Sequence, residues 1–258
     1  MSTVLYEKKG HLALVTLNRP EALNAMNTEL NNELYETWQR FRDDDDAFVA
    51  ILTGSGRAFC AGADLKEMRE KREQGENFWV GGRAHVGHIE PSLRLYKPVI
   101  AAINGHCLGG GMTLAVSCDI RVAAQEATFG YLEILRGIPT RIGSLLLPGV
   151  VALGTAFELL LTGDRIDAQE AYRIGLVNKV VPQAELMSAA ESIATKIMEN
   201  APLAVRVTKE MIVRGQDLSY EDGLRMGEAM MGMIGQTEDA KEGPRAFGEK
   251  RKPVWKGR

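Results

Sequence analysis

Residues 3–8 (TVLYEK) and 12–18 (LALVTLN) are short runs rich in apolar and β-branched residues, and Lys9-Gly10-His11 between them reads as the turn of a hairpin. From 28 to about 42 the period changes. Leu30, Leu34, Trp38 and Phe41 recur at helical spacing, which predicts an amphipathic helix. The acidic run Asp43 to Asp46 opposes the negative end of that helix and marks its exit as solvated punctuation. Val49-Ala50-Ile51-Leu52-Thr53, Val99-Ile100-Ala101-Ala102-Ile103 and Ile120-Arg121-Val122-Ala123 are continuous apolar strands without alternation. Such strands are covered on both faces, so the pattern predicts an α/β fold. Segment 67–82 is polar, weakly periodic and glycine-punctuated, which predicts a mobile loop or a frayed helix of the kind that lies over active sites. Beyond Asp167, an N-cap for 168–174, the chain reads as a strand at 176–181 and then as helices. One helix carries Leu186, Ala190, Ile193 and Ile197 on a single face, another begins at Pro202, and a third is capped by Ser219.

At 258 residues, with 45% hydrophobic and 25% charged residues, the chain buries a sizeable core and has an ordinary globular composition. The net charge is −3, and most of the C-terminal ten residues' charge is basic: Lys250, Arg251, Lys252, Lys256 and Arg258 against Glu249. A basic tail on an acidic body is not a nucleic-acid footprint. The tail is either solvated or an anion-binding element. Cys60, Cys107 and Cys118 are odd in number and lack metal or redox spacing, which predicts reduced thiols and a cytoplasmic location. No apolar run reaches the length of a membrane span, and no secretory leader is visible.

Several chemistries fail on their motifs. Thr53-Gly54-Ser55-Gly56 follows a strand but has Phe59 where a dinucleotide fingerprint needs glycine. Gly105 to Gly111 lacks the Gly-Lys ending of a phosphate-cradling loop, and no nucleophile elbow occurs. His85, His88 and Glu90 have no second ligand cluster, so no metal site is predicted. Two segments of one form remain, each a strand running through small residues into a helix: 58–66, containing Ala61-Gly62-Ala63-Asp64, and 104–112, containing Gly109-Gly110-Gly111. Small residues let a ligand approach the backbone, and a helix start supplies unpaired N–H groups and a positive dipole end. Two such turns facing each other would form an oxyanion hole.

These segments resemble the two signatures of the crotonase (enoyl-CoA hydratase/isomerase) superfamily. Leu17-Asn18-Arg19-Pro20, Leu23-Asn24-Ala25-Met26, Cys118-Asp119-Ile120, Ala127-Thr128-Phe129-Gly130 and Leu161-Thr162-Gly163 extend the resemblance over the whole chain in the right order. The resemblance implies a spiral of repeated ββα units over 1–195 and a helical C-terminal region, 196–258, that builds a homotrimer or hexamer. It implies that the amides of Ala63 and Gly110 grip the thioester oxygen of an acyl-CoA substrate. It also implies that Ala22, Ala61, Asp64 and Leu65 line the coenzyme A channel, and that Phe247 and Lys250 reach coenzyme A from a neighbouring subunit. No cofactor is implied beyond the coenzyme A of the substrate itself.

An oxyanion hole polarises a carbonyl but moves no proton, so an acid or base is needed. Hydratases of the resembled family carry two glutamates. Here the first position is Thr113 and the second is Glu133, whose neighbours Leu132, Ile134 and Leu135 predict a raised pKa. Moving a double bond needs one base where water addition benefits from two, which tilts the expectation toward isomerisation, with hydration and a weakly active acyl-CoA-binding protein as alternatives. Tyr131 and His106 are candidate polar substitutes for the missing glutamate. Arg141 departs from the glycine-rich turn of the family, and either caps the following helix or reads a polar group on the substrate. That departure also keeps decarboxylation or retro-aldol cleavage open.

Overall fold

The structure, a computed structural model, describes residues 2–75, 89 and 93–258. β1 (Val4–Lys9) and β2 (Leu12–Leu17) form the expected hairpin, and Gly10 closes it at φ 59°. α1 (Thr28–Asp43) is capped by Asn27, whose side chain accepts from the Leu30 amide at 2.9 Å. Its stripe of Leu30, Leu34, Trp38 and Phe41 is fully buried. The acidic run beyond it does more than face solvent. Lys8 reaches Asp44 at 3.0 Å and Asp46 at 3.2 Å, and the buried Lys97 ammonium donates to the Phe41 carbonyl at 2.8 Å.

A strand-strand-helix unit then repeats three times. The first is β3 (Val49–Gly54), β4 (Ala58–Cys60) and α2 (Leu65–Glu73); the second is β5 (Val99–Ile103), β6 (His106–Leu108) and α3 (Gly110–Ser117). The third is β7 (Ile120–Ala124), β8 (Thr128–Gly130), a 3-10 turn at Leu132–Arg136 and α4 (Arg141–Leu146). α5 (Leu153–Thr162), β9 (Ile166–Asp167), α6 (Ala168–Arg173), β10 (Lys179–Val181) and α7 (Leu186–Met198) follow. The chain ends in α8 (Pro202–Gly215), α9 (Tyr220–Ile234) and α10 (Glu238–Gly248). The first strand of each unit enters a six-stranded sheet of order β1-β2-β3-β5-β7-β10, and the second enters a four-stranded sheet of order β4-β6-β8-β9. This is the ββα spiral.

Period-two side-chain geometry splits the large sheet between two cores. Ala50, Leu52, Val99, Ala101, Ile103 and Ala123 face one cluster, which includes α1 and α3. Val49, Ile51, Ile100, Ala102, Val122 and Ala124 face the other, packed against Leu186, Ala190 and Ala194 of α7. The continuous apolar runs thus arise because both faces are covered.

Two elements differ from the sequence expectation. Residues 65–73 are helical although none is buried, because the Asp64 carboxylate accepts from the amides of Lys66 at 3.1 Å and Glu67 at 3.3 Å. Glu67 and Lys71 pair at 3.4 Å one turn apart. A reading based on apolar periodicity misses a helix held by its cap. The rest of 67–82 lies mostly outside the described residues. The strand expected over 176–181 begins only at Lys179, since the Leu176 carbonyl and the Asn178 side chain are taken by Arg121 at 2.7 and 2.8 Å.

Asn24 illustrates how loops are fixed. It is fully buried in a left-handed conformation, φ 56°. Its amide donates to the carbonyls of Ser55 at 2.9 Å and Ala58 at 2.8 Å, and its oxygen accepts from the Arg19 amide at 2.8 Å. Asn24→Ala strands these buried groups and is expected to cost about 3 kcal/mol in urea denaturation. A loss below about 1 kcal/mol would show that the turn is held by something else.

Candidate active site

The carboxyl ends of β4, β6 and β8 lie side by side, because β4 pairs with β6 and β6 with β8. What leaves those ends makes the site. After β4, the chain zips against residues 23–26: the Ala61 amide donates to Leu23 at 3.0 Å, Met26 donates to Gly62 at 2.8 Å, and Asp64 donates to Met26 at 3.1 Å. In such a parallel bridge the middle residue, Ala63, turns its own N–H away from the ladder. After β6, the Gly109 amide donates to Gly130 at 2.8 Å and α3 starts at Gly110, in the first turn where helical amides lack partners. Among the described residues no acceptor takes the amide of Ala63 or Gly110.

The two turns touch through glycine. A Cβ on Gly110 would lie 3.7 Å from the Ala63 nitrogen, and one on Gly62 would lie 3.3 Å from the Gly110 nitrogen and 2.9 Å from the Leu108 carbonyl. A Cβ on Gly109 would come within 2.8 Å of a Glu133 carboxylate oxygen. The structure therefore brings together Ala63, Gly110 and Glu133.

Glu133 sits on the 3-10 turn after β8, which ends at Gly137 with φ 68°. Its Oε2 is buried and has no hydrogen-bond partner among the described residues. Burial raises its pKa, and its own backbone amide, Arg136 and Thr140 act against the rise. The source of that dryness differs from expectation. Ile134 and Leu135 are exposed, at 36% and 66%, and lean toward Gly163. The apolar walls are Leu23, Leu108, Leu132 and Ile138, around a pocket of about 250 Å³ that also holds Ala61, Ala63, Leu65 and Met68.

Ala61 and Leu65, expected along the coenzyme A channel, line this pocket, whereas Ala22 and Asp64 do not. Ala22 ends the Pro20–Ala22 turn just before Leu23, and the Asp64 carboxylate is held by Arg19 at 3.0 Å while it caps α2. Phe247, 88% exposed, and Lys250, at φ 52°, lie at the end of α10 and line neither this pocket nor its neighbour. Thr113 is buried behind the site, and Tyr131 is fully buried, its phenol pushed up by burial. His106 is engaged by the Thr128 hydroxyl at 2.9 Å. None of the three lines the pocket. Sequence reasoning missed Arg136 and Arg165, which do; the signal was available for Arg136, one 3-10 turn after Glu133. His85, His88 and Glu90 lie outside the described residues, among which no cluster of metal ligands occurs.

A sequence profile described as Enoyl-CoA hydratase/isomerase matches residues 7–258. The chain belongs to that family. Within the enoyl-CoA hydratase/isomerase family it is 41% identical to the (E)-benzylidenesuccinyl-CoA hydratase of Thauera aromatica over 98% of this chain and 99% of that one. It is 43% identical to the short-chain-enoyl-CoA hydratase of Clostridium acetobutylicum over 98% and 97%. Among solved structures, enoyl-CoA hydratase from Mycobacterium tuberculosis H37Rv superposes with a TM-score of 0.91 at 37% identity, covering 100% of both chains. The chain is thus an enzyme of the enoyl-CoA hydratase/isomerase family with a crotonase fold. No described helix is long and apolar enough to cross a membrane.

Gly109 adopts φ 55°, ψ −122°, a region that side chains other than glycine enter at a cost of about 1–3 kcal/mol. Gly109→Ala adds the collision with Glu133, so its thermal midpoint is expected to fall by about 4–8 °C. An unchanged midpoint would mean that the carboxylate moves aside freely.

Proposed function

We propose that this chain holds the carbonyl oxygen of an acyl-CoA thioester between the amides of Ala63 and Gly110, with Glu133 as the proton carrier. The observation that carries this reading is the Glu133 carboxylate packed on Gly109, beside an amide with no acceptor of its own. Removing a proton from C2 drives negative charge onto the thioester oxygen, where each aimed donor is worth about 3 kcal/mol. Glu133 takes the C2 proton, the electron pair spreads into a dienolate, and the neutral carboxyl returns the proton at C4. A 3-enoyl thioester becomes a 2-enoyl thioester. One carboxylate suffices, and Glu133 is the only carboxylate among the described residues that line the pocket.

Water addition to a 2-enoyl thioester is the second reading, favoured by the hydratase names of the relatives. Ala61 and Leu65 support a coenzyme A path beside Ala22 and Asp64, the latter through its backbone because its carboxylate is engaged. Phe247 and Lys250 fit a contact across subunits. Arg251, Lys252, Lys256 and Arg258 are paired with glutamates, whereas no described carboxylate pairs with Lys250. That contact requires the 196–258 helices to build a trimer or hexamer, and a cytoplasmic location fits three buried thiols.

Supplying 2-enoyl-CoA and 3-enoyl-CoA separately, and following absorbance of the conjugated thioester, decides the reaction. Gain from the second substrate is the expected result; loss from the first instead means hydration. Glu133→Gln is expected to lower kcat by roughly two to four orders of magnitude while acyl-CoA binding persists. Because burial raises the Glu133 pKa, the acidic limb of kcat/KM should lie above the ordinary carboxylate range and vanish in the variant. The sign for stability is opposite to that of a paired carboxylate. A raised folded-state pKa means stability falls as pH rises through the titration, so Glu133→Gln should be at least as stable as the parent at neutral pH. Retained turnover would reassign the proton carrier.

A further inference from the structure

Beyond the Glu133 pocket lies a second cleft of about 690 Å³ lined by three cations: Arg72 in the last turn of α2, Arg136 at the end of the 3-10 turn, and Arg141 at the first position of α4. Its other walls include the apolar Leu65, Met68 and Ile138, and these three together with Arg136 also line the Glu133 pocket. The two cavities are thus adjoining parts of one groove.

What distinguishes the arginines of this groove is that three of them line one cleft and no described carboxylate lines it with them. Elsewhere Arg19, Arg173, Arg214, Arg225 and Arg251 each hold a carboxylate oxygen within 3.0 Å. Among the described residues no carboxylate pairs with Arg72, Arg136 or Arg141, and Arg136 donates only to the Leu132 carbonyl at 3.0 Å. A single exposed arginine is ordinarily just solvated. Three that converge on one concavity raise its positive potential and concentrate anions there. A guanidinium fork matches a carboxylate with two parallel hydrogen bonds.

We propose that this cleft is a subsite for a carboxylate on the acyl group, so that the preferred substrates are mono-coenzyme A thioesters of dicarboxylic acids. The inference rests on the thioester reading above and names the substrate class for that site. The phosphates of coenzyme A are the other source of anionic charge. They are separated from the thioester by the whole pantetheine arm, whereas this cleft shares walls with the pocket of the proton carrier. An acyl chain running past Glu133 along Leu65, Met68 and Ile138 delivers its far end to Arg72 and Arg141.

The test compares hexanoyl-CoA with adipoyl-CoA, which have equal chain length, carry methyl or carboxylate ends, and lack the double bond needed for turnover. Calorimetric titration of the full chain is expected to give about tenfold tighter binding of adipoyl-CoA. In the Arg72→Met/Arg141→Met double variant that ratio should collapse toward one, and in Arg141→Lys it should fall only in part. Equal affinity of the parent for both thioesters overturns the proposal. A double variant that weakens hexanoyl-CoA, adipoyl-CoA and free coenzyme A in parallel also overturns it, by assigning the cations to the phosphates. A parent that prefers adipoyl-CoA yet converts no enoyl-CoA upholds the subsite and fails the catalytic reading, so the two outcomes separate.

Discussion

The site depends on two stretches of backbone being allowed to touch. A Cβ on Gly111 would sit 2.2 Å from the Cys60 carbonyl, and one on Gly62 would sit 2.9 Å from the Leu108 carbonyl. No side chain fits at either place, so the turn leaving β4 and the turn leaving β6 close to the distance of bare main chain. That closeness is what the proposed pairing of the Ala63 and Gly110 amides on one ligand atom requires. The surrounding spiral serves this contact. Each unit delivers one strand to the large sheet and one to the small sheet, and the small sheet's neighbouring carboxyl ends release Ala63, Gly110 and Glu133 at the same edge. Placing chemistry at the carboxyl ends of parallel strands is a general habit of α/β architecture.

Electrostatics then divides the groove. Glu133 sits where apolar walls disfavour charge, which fits the proton carrier proposed above. Arg136, which opposes the rise in its pKa, stands between that pocket and the arginine-lined cleft. The helix dipole of α3 and the Gly110 amide at its start, unpaired among the described residues, add fixed positive character next to Gly109, on which the carboxylate packs. Where the two-glutamate pattern has its first carboxylate this chain has Thr113, which is buried, as is Tyr131, and neither lines the pocket.

The C-terminal segment shows how one composition serves two ends. Its cations look like a single basic tail in the sequence, yet they fold back as a strap. Arg251 is held by Glu242 at 2.5 Å, the buried Asp239 carboxylate accepts from the Lys256 and Gly257 amides at 2.7 and 2.9 Å, and Trp255 donates to the Glu199 carbonyl at 2.7 Å. Pairing with Arg251 and the Val254 amide hold the Glu242 carboxyl down at about 2, so this strap stays ionised throughout the physiological range.

The amino-acid order alone determined the family, the glycine turns and the glutamate, because backbone approach and helix starts demand specific small residues in fixed positions. It also determined the hairpin, α1 and the continuous strands, whose patterns are local consequences of period and burial. Helix α2 was not legible by periodicity, since a cap at Asp64 and ion pairs hold it and no buried stripe does. Only the tertiary structure decided which surfaces keep Glu133 dry, because Ile134 and Leu135 beside it in sequence point away while Leu23, Leu108 and Ile138 arrive from other turns. It alone gathered Arg72, Arg136 and Arg141 into one groove and paired most of the C-terminal cations, since charge meets charge through space, and spacing along a chain does not encode which distant partner folding will supply.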